Sequence, residues 1–351
     1  MVVIQSTGED STIGAVSSLL TKYRIDPRTV GRVDLSTSTF AKSVKARLLG
    51  LFASSVNIDV DFVESTNATT AILNSTHWIE SSNWDGRYAV VCAAETASSS
   101  GAVALLIGPD APLVLESIRG SSVADHPASE KYASQLINYL EAVDKSFAAY
   151  KSNVGKAVSN STAKSKPHVN GDVNGSPTDK PAAKSVKLSD FDYFIFNSPQ
   201  SEFAQKAYSR LTYQDYMSHP SAPAYREVLP TPMEEVSLED YKIGATAVKP
   251  TFFDFFSIPQ YTQSVAPSQL LSTHLGKAYA GSLYGGLASL LTNVPSYELF
   301  NKRVSLFEHN SGSASSIFFA IRVRGDTSHI QTKLDLKGRL SEIGAVIPKC
   351  F

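Results

Sequence analysis

Residues 74–89 read NSTHWIESSNWDGRYA, and this stretch decides how the rest of the chain is interpreted. Its first half falls in segment 71–81, which has the spacing of a helix. Asp85-Gly86 then predicts a tight turn, because glycine adopts left-handed backbone conformations at little cost. The apolar run 88–94 that follows is typical of a buried strand. Helix, turn and strand in this order indicate an α/β unit.

The alternation of helices and strands continues on both sides of this stretch. Ser11 is a candidate N-cap for a first helix, and Leu136 to Phe147 form the apolar stripe of a long amphipathic helix. Alternation of this kind predicts helices packed on sheets. The predicted strands are 30–35, 60–63, 88–94, 102–107, 113–117, 191–196, 303–307 and 316–324. The first predicted helix starts at Ser11, and the other predicted helices cover 43–52, 71–81, 132–150, 203–217, 279–291 and 332–340.

Length and composition indicate an ordinary globular protein. The chain has 351 residues, a formal net charge of -1 and two cysteines. Its length suggests about two domains, and its charge does not favour a nucleic-acid partner. The apolar runs are too short to cross a membrane, and no signal peptide is recognisable, so we expect a cytoplasmic protein.

A change in composition divides the sequence in two. Segment 151–188 is rich in Ser, Lys, Asn, Gly and Pro, and a segment of this kind buries too little apolar surface to offset its ordering entropy. We therefore predict an N-terminal half at 1–150, a disordered linker at 151–188 and a C-terminal half at 189–351.

Four blocks of the sequence carry a resemblance to a known family. Besides 74–89, they are GAVALLIGP at 101–109, SLYGGLAS at 282–289 and LDLKGRL at 334–340. The chain resembles the hydroxymethylglutaryl-CoA synthase family of the thiolase superfamily in these blocks, which occur in the family's order. The resemblance implies an α/β thiolase-like five-layer αβαβα fold, shortened at the N-terminus and around the active-site loops. It also implies a homodimer and a buried site between the halves, reached by a tunnel for the CoA arm.

The catalytic groups that the resemblance implies are absent from the matching positions. The family uses a cysteine nucleophile, a glutamate base and a histidine. The cysteine motif T-N-A-C-Y-G-G-T corresponds here to Thr66-Asn67-Ala68-Thr69, the glutamate position to Ser38, and the histidine position to Asn197. Because a thiol and a base are both required for the family reaction, we expect no acetyl-enzyme to form. A family lysine near the CoA phosphates corresponds to Glu202, which makes CoA binding doubtful.

The resemblance also supplies candidate site residues. The candidates for a catalytic role are Asn197, Ser38 and His309, although His309 has the alternative of a hydrogen-bonded core residue. We expect no cofactor, and no His, Cys or carboxylate spacing indicates a metal site. The candidates for substrate contact are Thr66, Asn67, Thr69, Tyr279, Tyr284 and Ser311.

Two functions remain open from the sequence. The first is an enzyme repurposed in specialised metabolism, which binds a hydrophobic polyketide- or terpenoid-type intermediate and promotes a non-covalent cyclisation, rearrangement or dehydration. The second is a non-catalytic pseudoenzyme that acts as a dimer partner, a scaffold or a binding module for an acyl-CoA or another small molecule.

Overall fold

The structure is a computed structural model that describes residues 2–5, 10–37, 42–64, 68–95, 101–123, 132–164, 185–197, 201–226, 237–238, 252–275, 281–310 and 315–346. Its strands are β1 Val2–Gln5, β2 Val30–Thr37, β3 Asp59–Glu64, β4 Tyr88–Glu95, β5 Gly101–Ile107, β6 Leu113–Val123, β7 Tyr193–Phe196, β8 Arg303–Asn310 and β9 Ser315–Val323. Its α-helices are α1 Asp10–Tyr23, α2 Lys42–Gly50, α3 Thr69–Ile79, α4 Tyr132–Lys164, α5 Ser201–Ser218, α6 Pro223–Arg226, α7 Phe252–Phe256, α8 Ile258–Ser264, α9 Leu270–Leu275, α10 Ser282–Asn293, α11 Ser296–Leu299, α12 Ser328–Leu334 and α13 Leu336–Val346.

The described strands form two sheets. The first has the order β1-β5-β4-β2-β3, with β2 parallel to both β3 and β4. The second has the order β6-β9-β8-β7, with β7 parallel to β8 and the other pairs antiparallel. Parallel neighbours end at the same edge of a sheet, so the ends of β7 and β8 lie side by side.

Helices cover both faces of each sheet, and alternate residues of one strand belong to different cores. On β4, Val91 and Ala93 pack between the sheets, whereas Val90 and Cys92 pack against the outer helices. Buried apolar residues of α1 and α2 lie on the outside of the first sheet, those of α3 and α10 between the sheets, and those of α4 and α5 on the outside of the second. These are the five αβαβα layers that the resemblance implied.

An ion pair fixes α3 against the first sheet. Asp34 of β2 is fully buried, and its carboxylate accepts two hydrogen bonds from the Arg32 guanidinium, at 2.9 and 2.8 Å. The Ser75 hydroxyl of α3 donates to the same carboxylate at 2.5 Å. A buried carboxylate left without these donors is costly, so the three groups hold the helix in one position.

The predicted boundary between the halves at residue 150 is wrong. Strand β6 and helix α4 both precede that residue, but β6 pairs with β9 and α4 packs on the second sheet. The second half therefore starts at Leu113, directly after the first sheet is complete. A strand's partner cannot be deduced from its own sequence, which is why composition misplaced this boundary.

The predicted linker at 151–188 is wrong for the parts that the structure describes. Helix α4 continues to Lys164, because Tyr150 and Val154 still pack on the outer core and Asn153 donates to the Arg119 carbonyl at 2.7 Å. At the other end of the segment, Val186 and Leu188 are buried in that same core. Residues 165–184 lie outside the described part.

Two further elements differ from the prediction. Strand β1 was not predicted; its four residues pair antiparallel with β5. The single predicted helix at 332–340 is two helices, because Asp335 has a left-handed backbone with φ of 44° and separates α12 from α13. Among the described residues, no helix has both the length and the apolar character needed to cross a membrane.

The packing of α4 on β6 generates a stability prediction. A Cβ atom at Gly120 would lie 2.1 Å from the Ser146 carbonyl oxygen and 2.2 Å from the Tyr150 nitrogen, both of which are backbone atoms. We expect Gly120→Ala to lower the free energy of unfolding by about 3 kcal/mol or more, as measured by urea denaturation.

Gly155, later in the same helix, is the matched control. A Cβ atom there meets nothing within 4 Å. Because 151–164 is helical, Gly155→Ala should stabilise the protein by about 0.5–1 kcal/mol, since alanine favours a helix. Equal effects of the two substitutions would contradict this account of α4.

Candidate functional site

Four described side chains meet where the ends of secondary-structure elements converge between the sheets. Thr69 is the first residue of α3, Tyr284 lies in the first turn of α10, and Asn197 follows β7. Glu308 lies near the end of β8, and the parallel register places Phe196 beside Phe307, so Asn197 and Glu308 are neighbours.

Thr69 and Tyr284 connect the two halves of the protein. Their hydroxyl groups form a hydrogen bond of 2.8 Å, and both side chains are buried. Burial holds the pKa of the Tyr284 phenol well above its usual range, and the nearby Glu308 raises it further. The tyrosine is therefore a neutral hydroxyl group that can donate or accept a hydrogen bond.

Asn197 is held rigidly at the end of β7. Its backbone N–H donates to the Phe307 carbonyl at 2.8 Å, and its backbone carbonyl accepts a hydrogen bond from the Tyr139 hydroxyl at 2.9 Å. The Ser282 hydroxyl donates to Asn197 Oδ1 at 2.9 Å. Because the side-chain oxygen already accepts this hydrogen bond, the side-chain amide presents its NH₂ group as a donor to the site.

Glu308 is a buried carboxyl group at the centre of these residues. Its side chain is 1% exposed. The Thr69 hydroxyl, the backbone amides of Thr69 and Ala68 and the Asn197 side chain all face it, and each of them lowers its pKa. However, no partner within the described chain makes a hydrogen bond of ordinary geometry with either carboxylate oxygen. Burial therefore dominates, and it raises the pKa of Glu308 to about 7.

His309 lies on the other face of the sheet. Side chains alternate along a strand, so Glu308 faces the space between the sheets and His309 faces the outer core. The His309 ring stands edge-on to Tyr139, with 5.7 Å between the centroids, and burial lowers its pKa to about 4. The structure thus brings together Asn197, Thr69 and Tyr284 but not His309.

The other five predicted site residues lie outside the described part of the chain. They are Ser38, Thr66, Asn67, Tyr279 and Ser311. Their assignment as catalytic or substrate-contacting groups stays a prediction.

Glu308 is not among the site residues predicted from the sequence. The predicted strand ends at Phe307, whereas β8 continues to Asn310 and carries Glu308 into the interior. The available signal was a carboxylate directly after the apolar alternation of 303–307. Such a residue is more often at a surface, and only the arrangement of the neighbouring elements shows that it is buried.

The described residues offer neither a thiolate nor a metal site here. Cys92, the one described cysteine, is fully buried in the outer core of the first sheet, and burial raises its pKa to about 12. No described group of three or more His, Cys, Asp or Glu side chains has the geometry to hold a metal ion. The titratable group that the described residues do place at this point is the Glu308 carboxyl, with hydrogen-bond donors around it.

Comparison with solved structures defines the fold. The structure of MvaS in complex with 3-hydroxy-3-methylglutaryl coenzyme A has a TM-score of 0.71 and 19% identity, over 96% of this chain and 77% of that one. PksG, an HMG-CoA synthase from Bacillus, has a TM-score of 0.64 over 96% of this chain and 73% of that one. The two sheets around a middle layer of helices thus form a thiolase-like fold.

Sequence comparison defines the family. The model described as the hydroxymethylglutaryl-coenzyme A synthase N terminus matches residues 4–112, and the corresponding C-terminal model matches residues 133–351. The hydroxymethylglutaryl-CoA synthase of Ganoderma lucidum is 38% identical over 95% of this chain and 72% of its own length. The hydroxymethylglutaryl-CoA synthase-like protein AKT4-1 of Alternaria alternata is 34% identical over 95% of this chain and 82% of its own length. The chain belongs to the hydroxymethylglutaryl-CoA synthase family.

The burial of Glu308 generates a prediction for stability against pH. Because burial favours the protonated form, the unfolded chain releases this proton near its usual pKa of 4.5 and the folded chain near 7. The contribution of Glu308 to the free energy of unfolding therefore falls as the pH rises through this window. We expect Glu308→Gln to gain about 3 kcal/mol relative to the wild type between about pH 4.5 and pH 8.

Urea denaturation of both proteins across this pH range measures the difference. Glu342→Gln is the control, because it removes the charge of an exposed glutamate on α13. Parallel stability curves for wild type and Glu308→Gln would contradict a carboxyl group that is protonated at mildly acidic pH in the folded state.

Proposed function

We propose that this chain has lost the family's covalent acetyl transfer and instead promotes a non-covalent proton-transfer step on a hydrophobic carbonyl compound. The group that moves the proton is Glu308. The single observation that carries the proposal is the position of this buried carboxyl group among Thr69, Asn197 and the start of α3. The step belongs to the classes of rearrangement, cyclisation or dehydration in specialised metabolism.

The groups around Glu308 support a division of roles. The ionised carboxylate takes a proton from the carbon next to a carbonyl group, which leaves an enolate. The Asn197 amide and the N–H groups at the start of α3 stabilise the enolate oxygen, since helix N-termini favour negative charge. The proton then returns to another carbon in a rearrangement, or it leaves with a β-hydroxyl group as water in a dehydration.

The pKa of Glu308 suits this role. A group that ionises at about 7 is present in both protonation states at neutral pH. Proton transfer is most efficient when the pKa of the acid or base is near the working pH. An ordinary glutamate with a pKa of 4.5 would be almost fully ionised and a poor acid.

A second candidate function rests on the same carboxyl group. Glu308 faces the backbone amides of Ala68 and Thr69, where the oxygen of a bound acyl group would otherwise accept hydrogen bonds. In this case the Glu308 side chain occupies the position of the acyl group, and the protein is a non-catalytic partner or binding module. The described edge of β3, which has no neighbouring strand on its outer side, supports the homodimer that either function includes.

The first experiment tests the loss of covalent transfer. The purified protein is incubated with acetoacetyl-CoA and acetyl-CoA labelled in the acetyl group. We expect neither the branched product nor protein-bound label. Label on a peptide that contains Thr69 would contradict the proposal, because Glu308 would then be the base for a threonine nucleophile.

The second experiment tests proton transfer. The probes are 3-hydroxyacyl thioesters of N-acetylcysteamine with about six to ten carbons, kept in deuterated water and followed by NMR. We expect the wild type to accelerate deuterium entry at C2 and loss of water, and Glu308→Gln to be slower by about 10²–10⁴-fold. Glu342→Gln, which replaces an exposed glutamate on α13, should behave as the wild type.

Two results would overturn the proposal. One is a Glu308→Gln variant that is as active as the wild type. The other is a wild-type protein that accelerates neither deuterium entry nor loss of water over buffer with a thioester of any chain length. That result would favour the second candidate function, in which the Glu308 side chain occupies the position of the acyl group.

A further inference from the structure

We propose that a second compartment, a cavity of about 400 Å³ beside the site, binds the neutral, apolar part of the substrate. The cavity lies between the sheets and shares one side chain, Tyr284, with the group of residues around Glu308. The assignment of the bound molecule as the substrate rests on the proposed function. The binding of neutral apolar molecules in the cavity is independent of the proposed function.

The cavity continues the line of the polar site along the same elements. Ile72 and Thr76 of α3 line it, and they lie on the same face of the helix as Thr69 because residues three to four apart are aligned. Leu306 of β8 also lines it, and it shares a face with Glu308, two residues further along the strand. The cavity therefore lies next to the polar site, on the side towards which the other end of an elongated molecule at Glu308 would extend.

Tyr284 forms the boundary between the polar site and the cavity. It lines the cavity, while its hydroxyl group bonds to Thr69 at the start of α3. A side chain with an apolar ring on one side and a hydroxyl at its tip suits such a boundary. One ligand can then present a carbonyl group to the polar end and hydrocarbon to the ring.

The remaining walls are apolar. They come from both sheets, from the connection between β5 and β6 and from helices α10 and α12, and they include Leu105, Leu287, Phe319, Ile321 and Ile330. Ligand cavities in proteins have volumes of about 300–1,000 Å³ and are lined mostly by apolar side chains. The volume and the lining of this cavity both fall in that class.

The charged lining residues decide which ligands are excluded. They are Glu80 and Asp110, whose side chains are exposed, and none of the lining residues is a lysine or arginine. Two carboxylates at the solvent-facing side repel anions, so free fatty acids, phosphates and sulfonates are disfavoured there. The ligand class is a neutral hydrocarbon-rich molecule, such as the chain of a reduced polyketide or a terpenoid.

A neutral fluorescent probe tests the cavity directly. The probe is 6-propionyl-2-dimethylaminonaphthalene, whose emission shifts to shorter wavelength in an apolar site. We expect saturable binding to the wild type and weaker binding of the anionic probe 8-anilinonaphthalene-1-sulfonate at low salt. Replacement of both carboxylates, in Glu80→Gln with Asp110→Asn, should narrow the difference between the two probes.

Substitutions on α3 show where the probe binds. Thr76→Trp fills the cavity and should weaken binding of the neutral probe by about tenfold or more. His77→Trp is the matched control, because it adds the same side chain at the next position, where the residue is exposed. Leu287→Phe fills the cavity from α10 and gives a second measurement if Thr76→Trp does not fold.

The outcomes separate this inference from the proposed function. Glu308→Gln should bind the neutral probe as the wild type does, even if it has lost proton transfer. Probe binding together with an active Glu308→Gln would overturn the proposed function and leave the cavity assignment standing. Absence of probe binding to the wild type, or equal binding to folded cavity-filling variants and the wild type, would overturn the inference.

Discussion

The exclusion of water from one carboxyl group, that of Glu308, is the constraint on which the site depends. Three elements end around it: α3 begins at Thr69, β7 ends before Asn197, and β8 carries Glu308 itself. The start of α3 and Asn197 contribute hydrogen-bond donors that favour the ionised form, whereas burial favours the neutral form and dominates. A group balanced between these forces is suited to moving protons, and such groups occur often at functional sites.

The five-layer fold makes this balance possible. Helices α3 and α10 lie between the two sheets. The start of α3 is therefore inside the molecule, whereas the ends of most helices are exposed to solvent. The Asp34 carboxylate fixes α3 to the first sheet through Ser75, and the Thr69–Tyr284 hydrogen bond connects α3 with α10. The second sheet supplies Asn197 and Glu308 from adjacent parallel strands. The site therefore depends on both halves and cannot form in either alone.

Local patterns in the sequence predicted most of the elements, but not their partners. Helical spacing was sufficient to predict α1 and α5, and apolar runs were sufficient to predict β4 and β5, because short-range periodicity determines which residues face a core. The assignment of β6 and α4 to the second half depends on pairing with β9, some 200 residues later, and no local signal contains it. Composition alone also failed at 151–164, where the packing of Tyr150 and Val154 extends the helix.

The candidate site was predictable to the extent that family motifs mark it. Asn197, Thr69 and Tyr284 were found through the resemblance, and the structure places them together. The separation of Glu308 from His309 was not predictable, because the face of a strand depends on its register within the sheet. The infrared difference spectrum between wild type and Glu308→Gln, recorded across the pH range, tests the central claim most directly. The account predicts a protonated-carboxyl band that is lost with a midpoint near pH 7; a midpoint near the ordinary glutamate value of 4.5 would contradict it.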